Sequence, residues 1–276
     1  MVSLLLSAWA SAGSDKLLIG NPLNVSRYQL VPIYNNDFSA NNVIDFERLL
    51  STDKKRTRLP EVGAQWVVEG MGGVDICQGK LWVAPIKFDS CGKALRDDSV
   101  EPSHMVVWNK QQFPKDLLFE FTVNHQGSDD GLTLLFFSAL AKNGKSIFDL
   151  TQPLRQAKYK KYYNGLSNYT VSYWSRNQHA NAIKNREKYS NRIRKNPGMN
   201  LVASGISNTE NCNNCDIKIR VLKVANSIVV EVNGEVVNAY EDKQPLGPGY
   251  IGLRSMRGVK AVTYDDFTVW QIKLSD

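Results

Sequence analysis

Leu117-Leu-Phe-Glu-Phe-Thr-Val-Asn124 is the stretch on which the reading of this chain turns. Leu117, Phe119, Phe121 and Val123 alternate with Leu118, Glu120, Thr122 and Asn124. A period of two puts each set on its own face of an extended strand, whereas a helix would scatter both sets around its axis. Ile217, Ile219 and Val221 alternate with Lys218, Arg220 and Leu222 in the same way. Between Ile228 and Val237 two such runs flank Asn233-Gly234, a dipeptide that accepts the φ > 0 pair of a type I′ turn, so a hairpin is expected there. Leu132–Phe137 is apolar on both parities, which predicts a strand covered on both faces or one forming the floor of a cleft.

Working outward, further strands are expected at 65–69, 80–84, 104–109, 169–174, 199–203, 235–240, 250–255 and 262–272. Helical periodicity is weak everywhere except Ala180–Ile193. The pattern predicts an all-β fold, a two-sheet antiparallel jelly-roll sandwich. Residues 1–34 read as a signal-peptide remnant and an N-terminal arm. Residues 35–276 read as a single β-sandwich domain with insertions at 139–168 and 175–198.

The 276 residues are 42% hydrophobic and 22% charged, which gives enough apolar material for a core and excludes a mainly disordered chain. No apolar run reaches the roughly 18 residues of a membrane span, so no membrane partner is expected. Val2–Trp9 is apolar and Ala10-Ser-Ala12 is an A-x-A cleavage pattern, so a secreted or periplasmic protein is expected. In an oxidising compartment Cys77 is expected to pair with Cys91, and Cys212 with Cys215. A single C-x-x-C falls short of a zinc site. No cofactor is expected, and Asp265-Asp266 suits a turn or a structural Ca²⁺ ligand.

The net charge is +7, and it is concentrated. Between Arg155 and Lys195 eleven basic residues stand against one acid, Glu187. Such a run is usually a solvated face, but here Tyr159, Tyr162, Tyr163, Tyr169, Tyr173, Trp174 and Tyr189 are interleaved with it. Aromatics and cations together suit single-stranded nucleic acid or an acidic polysaccharide. Export favours an acidic polysaccharide or oligosaccharide over nucleic acid.

β-Elimination of a uronate chain requires a group that neutralises the carboxylate, a base and an acid. Arg176 and Asn177 are candidates for the first role, His125 or His179 for the second, and Tyr173 or Tyr189 for the third. Trp174, Asn177, Arg186, Arg194 and Asn200 are candidate substrate-binding residues. Arg176 shares a strand face with Trp174, and Arg194 re-enters before Pro197-Gly198, so the two arginines are expected to converge on one cleft. On that reading Arg176→Ala leaves folding nearly intact. The bland alternatives are that Tyr173 and Trp174 point to opposite faces, leaving one in the core, and that His125 is a turn residue. No E-x-D-x-x-E pair of hydrolase carboxylates is present, and no G-x-S-x-G elbow.

The run Tyr169-Thr-Val-Ser-Tyr-Trp-Ser-Arg-Asn177 and the element Arg194-Lys-Asn-Pro-Gly-Met-Asn-Leu-Val202 resemble the YesU-like family of concanavalin-like β-sandwich proteins. Glu69-Gly70, Gly131–Ser138, Ile251–Met256 and Asp265–Trp270 add to the resemblance, which covers about residues 35–272. It implies a concanavalin A-like jelly roll of the lectin and glucanase type, associated with bacterial polysaccharide breakdown. It carries over no catalytic residues. The function expected from the whole is an exported lyase that cleaves an anionic uronate-containing polysaccharide. The alternatives are a non-catalytic lectin-like module and, more weakly, a glycoside hydrolase.

Overall fold

A computed structural model describes residues 28–39, 61–62, 65–70, 72–85, 104–128, 130–149, 152, 155–176, 190–207, 209, 212, 214–256 and 258–274. These residues form β1 (Tyr28–Asn36), β2 (Glu61–Val62), β3 (Trp66–Glu69), β4 (Gly73–Cys77), β5 (Lys80–Ala84) and β6 (Met105–Asn109). Next come β7 (Leu117–Asn124), β8 (Gly131–Ala141), a short helix α1 (Tyr159–Gly165), β9 (Leu166–Arg176), β10 (Ser190–Asn196) and β11 (Asn200–Ile206). The last are β12 (Ile217–Val224), β13 (Ser227–Val232), β14 (Glu235–Glu241), β15 (Tyr250–Ser255) and β16 (Val262–Leu274).

Two antiparallel sheets stack face to face. One runs β14-β13-β12-β7-β16-β5-β4, with β1 beside β16. The other runs β11-β10-β9-β8-β15-β6-β3-β2. The alternation in β7 holds as written: Leu117, Phe119, Phe121 and Val123 enter the inter-sheet core with Ile217, Ile219, Leu135 and Phe137. Burying each such side chain stabilises the fold by about 1.5–3 kcal/mol. Asn233 and Gly234 take φ of 52° and 83°, so the β13–β14 turn is the expected one.

Several expectations shift. The segment read as an N-terminal arm contributes β1, whose backbone pairs with β16 from Tyr28↔Leu274 to Asn36↔Phe267. β8 runs on to Ala141 and β9 begins at Leu166, so the first insertion shortens to 142–165. The second loses its end to β10, and Ile193, expected at the end of a helix, is a buried strand residue. Ladder pairing with β9 and β11 on both sides outweighs the weak local helical signal there.

The first insertion decides what the second sheet's outer face looks like. Ile147, Ala157 and Tyr162 pack on Val106, Trp108, Leu132, Leu134 and Phe136, which makes a second apolar layer. Leu132–Phe137 is therefore covered on both faces, as its parity implies. Gly252 sits under the Trp108 ring, where an added Cβ would come within 2.4 Å of the indole.

Candidate functional site

The residues expected to build the site divide between the interior and the outer face. His125, Tyr173, Trp174 and Arg176 are all buried. A β-bulge in β9 explains why Tyr173 and Trp174 do not take opposite faces. Thr133 pairs with Trp174 and Leu134 with Ser172, so Tyr173 is the extra residue and both rings enter the core.

The His125 ring stacks on Trp174 at 4.0 Å, and its Nε2 shares a 2.9 Å hydrogen bond with Thr133 Oγ1. Burial, with the Arg176 charge adding to it, lowers the His125 pKa to about 3. A neutral, enclosed imidazole cannot meet a substrate proton. The Tyr173 hydroxyl lies 3.2 Å from that of Tyr264, and burial pushes its pKa up.

Arg176 Cζ lies 5.5 Å from the Trp174 ring centroid. Its Nη2 donates to the carbonyls of Thr209 and, at 3.0 Å, Cys212. It therefore pins the Cys212–Cys215 disulfide turn to the sandwich. Arg176 opposes Gly131 while Arg194 opposes Thr170, and the two side chains lie on opposite sides of the sheet. The expected convergence does not occur. His179, Asn177, Arg186 and Tyr189 lie outside the described residues. Asn200 is exposed, and its Nδ2 donates to the Pro197 carbonyl at 3.1 Å.

What the fold does gather is a recess on the outer face of the second sheet. Its lining includes Tyr159, Tyr163, Thr170, Ser172, Arg192 and Arg194. Thr170 and Ser172 are alternate residues of β9, and their small side chains leave the floor hollow. Arg192 and Arg194 stand opposite them on β10, at the same i, i+2 spacing. Tyr159 and Tyr163 form the facing wall, one turn apart on α1, with ring centroids 4.1 Å apart.

The Arg-Lys-Asn-Pro-Gly element locks this geometry. Buried Asn196 donates from Nδ2 to Asn168 Oδ1 at 3.0 Å and Thr170 Oγ1 at 2.9 Å, and its Oδ1 accepts from Met199 N–H. Arg194 Nη1 donates to the Met199 carbonyl at 2.7 Å, and Gly198 N–H donates to the Tyr163 carbonyl at 2.8 Å. Strand β10, its turn and α1 are thus tied together. Asn168, half of an Asn-x-Thr sequon, is buried in this network. Burial, with Tyr159 beside it, keeps the Tyr163 phenol protonated.

Beside the recess lies a buried ionic cluster. Glu69 on β3 accepts from Arg155 Nη2, from Arg155 Nε at 3.3 Å and from the Tyr162 hydroxyl. Arg155 and Arg176 are thus internal ties, and Lys195 pairs with Asp242 at 2.7 Å. Part of the basic window serves the fold, and Arg192 and Arg194 are what it presents at the recess.

Of the residues that line the recess, the sequence singles out Arg194 as a binding candidate and names Tyr159 and Tyr163 only as aromatics of the basic window, while Arg192, Thr170 and Ser172 carry no separate signal. The signal was the pair of patterns Thr170-x-Ser172 and Arg192-x-Arg194, legible only once β10 is known to be a strand. Cys77 is disulfide-bonded, and Cys91, its expected partner, lies outside the described residues. Among the described residues no group of three or more His, Cys, Asp or Glu could hold a metal ion. Asp265 Oδ1 accepts from Asp266 N–H at a β-bulge of β16. No helix among the described residues is long and apolar enough to cross a membrane.

A family profile described as a domain of unknown function (DUF1961) matches residues 56–269. The uncharacterized protein YesU of Bacillus subtilis is 26% identical over 215 residues, covering 75% of this chain and 89% of that protein. A crystal structure of a Bacillus subtilis protein of unknown function with a galectin-like fold superposes with a TM-score of 0.65. It shares 20% identity and covers 89% of this chain and 98% of its own. The VIP36 exoplasmic/lumenal domain, solved bound to Ca²⁺ and Man3GlcNAc, superposes at 0.50 with 13% identity over 78% of this chain and 87% of its own.

Proposed function

We propose that this chain, which belongs to the DUF1961 family, is a carbohydrate-active sandwich that binds an acidic, uronate-containing saccharide in the outer-face recess. One observation carries this reading. Two arginines at alternate positions of β10 face two tyrosines across a floor of Thr170 and Ser172. Guanidinium groups pair with carboxylate oxygens through charge-assisted hydrogen bonds, and tyrosine rings cover the C–H face of a sugar. The sugar bound to the VIP36 sandwich lends support to a saccharide ligand.

The test is calorimetric titration of the full chain with oligouronates, including alginate and pectic fragments, and with neutral oligosaccharides of matched length. Binding of the acidic series alone, weakened by Arg194→Ala, is the expected result. Equal binding of the neutral series would remove the proposal.

A second reading, elimination, is favoured by one observation. Tyr163 is held protonated at the recess that Arg194 also lines, which gives an acid and a carboxylate-neutralising cation. The base would come from the connection between β9 and β10, which carries His179 and Tyr189. The ultraviolet absorbance of a newly formed unsaturated uronate on mixing with the acidic polymers separates a lyase from a lectin. Binding without that rise means recognition only.

A further inference from the structure

Arg254 is fully buried on β15. It lies on the same outer face as the recess, in one cross-strand row. Glu69 opposes Val106, Val106 opposes Arg254, Arg254 opposes Leu134, Leu134 opposes Ser172, and Ser172 opposes Arg192. Arg254 and Arg192 are three strands apart, roughly 14 Å at the backbone. Leu134 and Ser172, which stand between them in the row, line the recess.

Among the described residues the Arg254 guanidinium makes a single hydrogen bond, from Nη2 to the Ala157 carbonyl at 3.1 Å. Its Nε and Nη1 are buried and have no partner among the described residues. Its Cζ lies 5.1 Å from the Tyr162 ring centroid and 5.5 Å from that of Tyr159. Tyr159 is half-buried and forms part of the recess wall, so its ring adjoins both the arginine and the recess.

The carboxylate in this layer does not serve Arg254. Glu69 accepts from Arg155 and Tyr162, which leaves the Glu69, Arg155 and Arg254 group with one uncompensated positive charge. A buried cation with unmet donors is costly, and the bond to Ala157 and the two ring contacts offset only part of that cost. The Trp108 indole N–H, on β6 of the same face, is also buried without an acceptor. Trp108 and Arg254 both lie against the Tyr162 ring, and an oxyanion is the kind of acceptor that such donors lack.

We infer that Arg254 is the inner subsite of the recess and receives the carboxylate of a bound uronosyl residue when the Tyr159 ring moves aside. The inference rests on the reading of the recess as a saccharide site, and it adds the residue that selects a carboxylate at depth. Arg192 and Arg194 engage the ligand at the rim, and Arg254 compensates its charge inside.

The experiment compares Arg254→Met, Arg254→Lys and Arg194→Ala in the full chain. Each is titrated with an oligouronate, with its carboxyl-reduced neutral counterpart and with a sulfated neutral oligosaccharide, and each is followed by thermal unfolding. Arg254→Met exchanges the bond to the Ala157 carbonyl and the two ring contacts for the removal of a buried charge, and it is expected to unfold close to the wild type. It is also expected to lose roughly tenfold or more in oligouronate affinity, the worth of one charge-assisted hydrogen bond. Arg254→Lys keeps the charge without the planar donors and should recover part of that loss. Should Arg254→Met fail to fold, the Lys variant alone carries the comparison, and wild-type affinity in it overturns the subsite.

Oligouronate binding unchanged in Arg254→Met but weakened in Arg194→Ala would overturn the subsite and leave the recess reading standing. A wild type that binds no oligouronate would overturn both. A sulfated ligand that binds as tightly as the oligouronate, and is lost equally in Arg254→Met, would overturn the carboxylate assignment.

Discussion

At the scale of single residues, burial decides which arginine serves the fold and which stays partly open to solvent. Arg176→Ala strips the partner from two carbonyls and bares one face of Trp174. It should therefore cost about 2–4 kcal/mol in denaturant unfolding, the reverse of what an exposed cleft residue would show. Arg194→Ala loses the bond to the Met199 carbonyl, so it should cost about 0.5–1.5 kcal/mol in unfolding, less than Arg176→Ala, and weaken acidic-saccharide binding by roughly tenfold, read by calorimetry. His125 gives a pH signature. Its pKa falls from 6.5 to about 3 on folding, so between those values the unfolded chain binds more protons than the folded one. Its contribution is complete above pH 6.5 and is lost as the pH falls toward 3, with a slope approaching about 1.4 kcal/mol per pH unit. His125→Phe keeps a ring against Trp174 and should flatten stability over pH 4–6 relative to wild type. Parallel profiles for the two proteins would contradict the assignment.

At the scale of elements, the site depends on how the 142–165 insertion is fastened to the second sheet. Tyr162 stacks on Phe136 at 5.3 Å and donates its hydroxyl to Glu69, while Arg155 grips the same carboxylate. Tyr162→Phe retains the stacking and removes one donor from a buried carboxylate. The expected cost is about 1–3 kcal/mol. Limited proteolysis should then cut the insertion faster while the strands stay resistant, because α1 and its flanks lose a tie that the β-ladders do not share. Unchanged cleavage would show that the apolar layer alone holds the segment. The bulge in β9 acts in the same way, since without the extra residue Tyr173 one of the two aromatic rings would be turned out of the core.

For the whole molecule, the concentrated charge gives a salt-dependent prediction. Arg192 and Arg194 are partly exposed, and α1 adds exposed lysines 160 and 161. Acidic-ligand affinity should fall steadily as salt rises through the physiological range, where screening acts over about 8 Å. A flat salt profile would mean that the recess reads the sugar without its charge. Lys195 contributes little to this field, because Asp242 already neutralises it.

Period-two alternation in β7 and β12 and the Asn233-Gly234 turn were enough to establish the sandwich. A strand buried on one or both faces writes its environment into consecutive residues. Even boundaries such as Lys80–Ala84 and Leu117–Asn124 were legible for that reason. β1 and β10 were not, because edge pairing and half-polar faces leave weak local patterns, and the ladder itself supplies the stability. The arginines and tyrosines of the recess all come from the basic, aromatic window. Their roles were fixed only in three dimensions. One β-bulge turned Tyr173 and Trp174 inward, strand parity sent Arg176 to the core and Arg194 outward, and the insertion set Tyr159 and Tyr163 against β10. Composition fixes which charges a chain carries. Whether a charge is neutralised inside the fold or presented to a ligand depends on contacts between residues far apart in sequence, and those exist only once the sheets have paired.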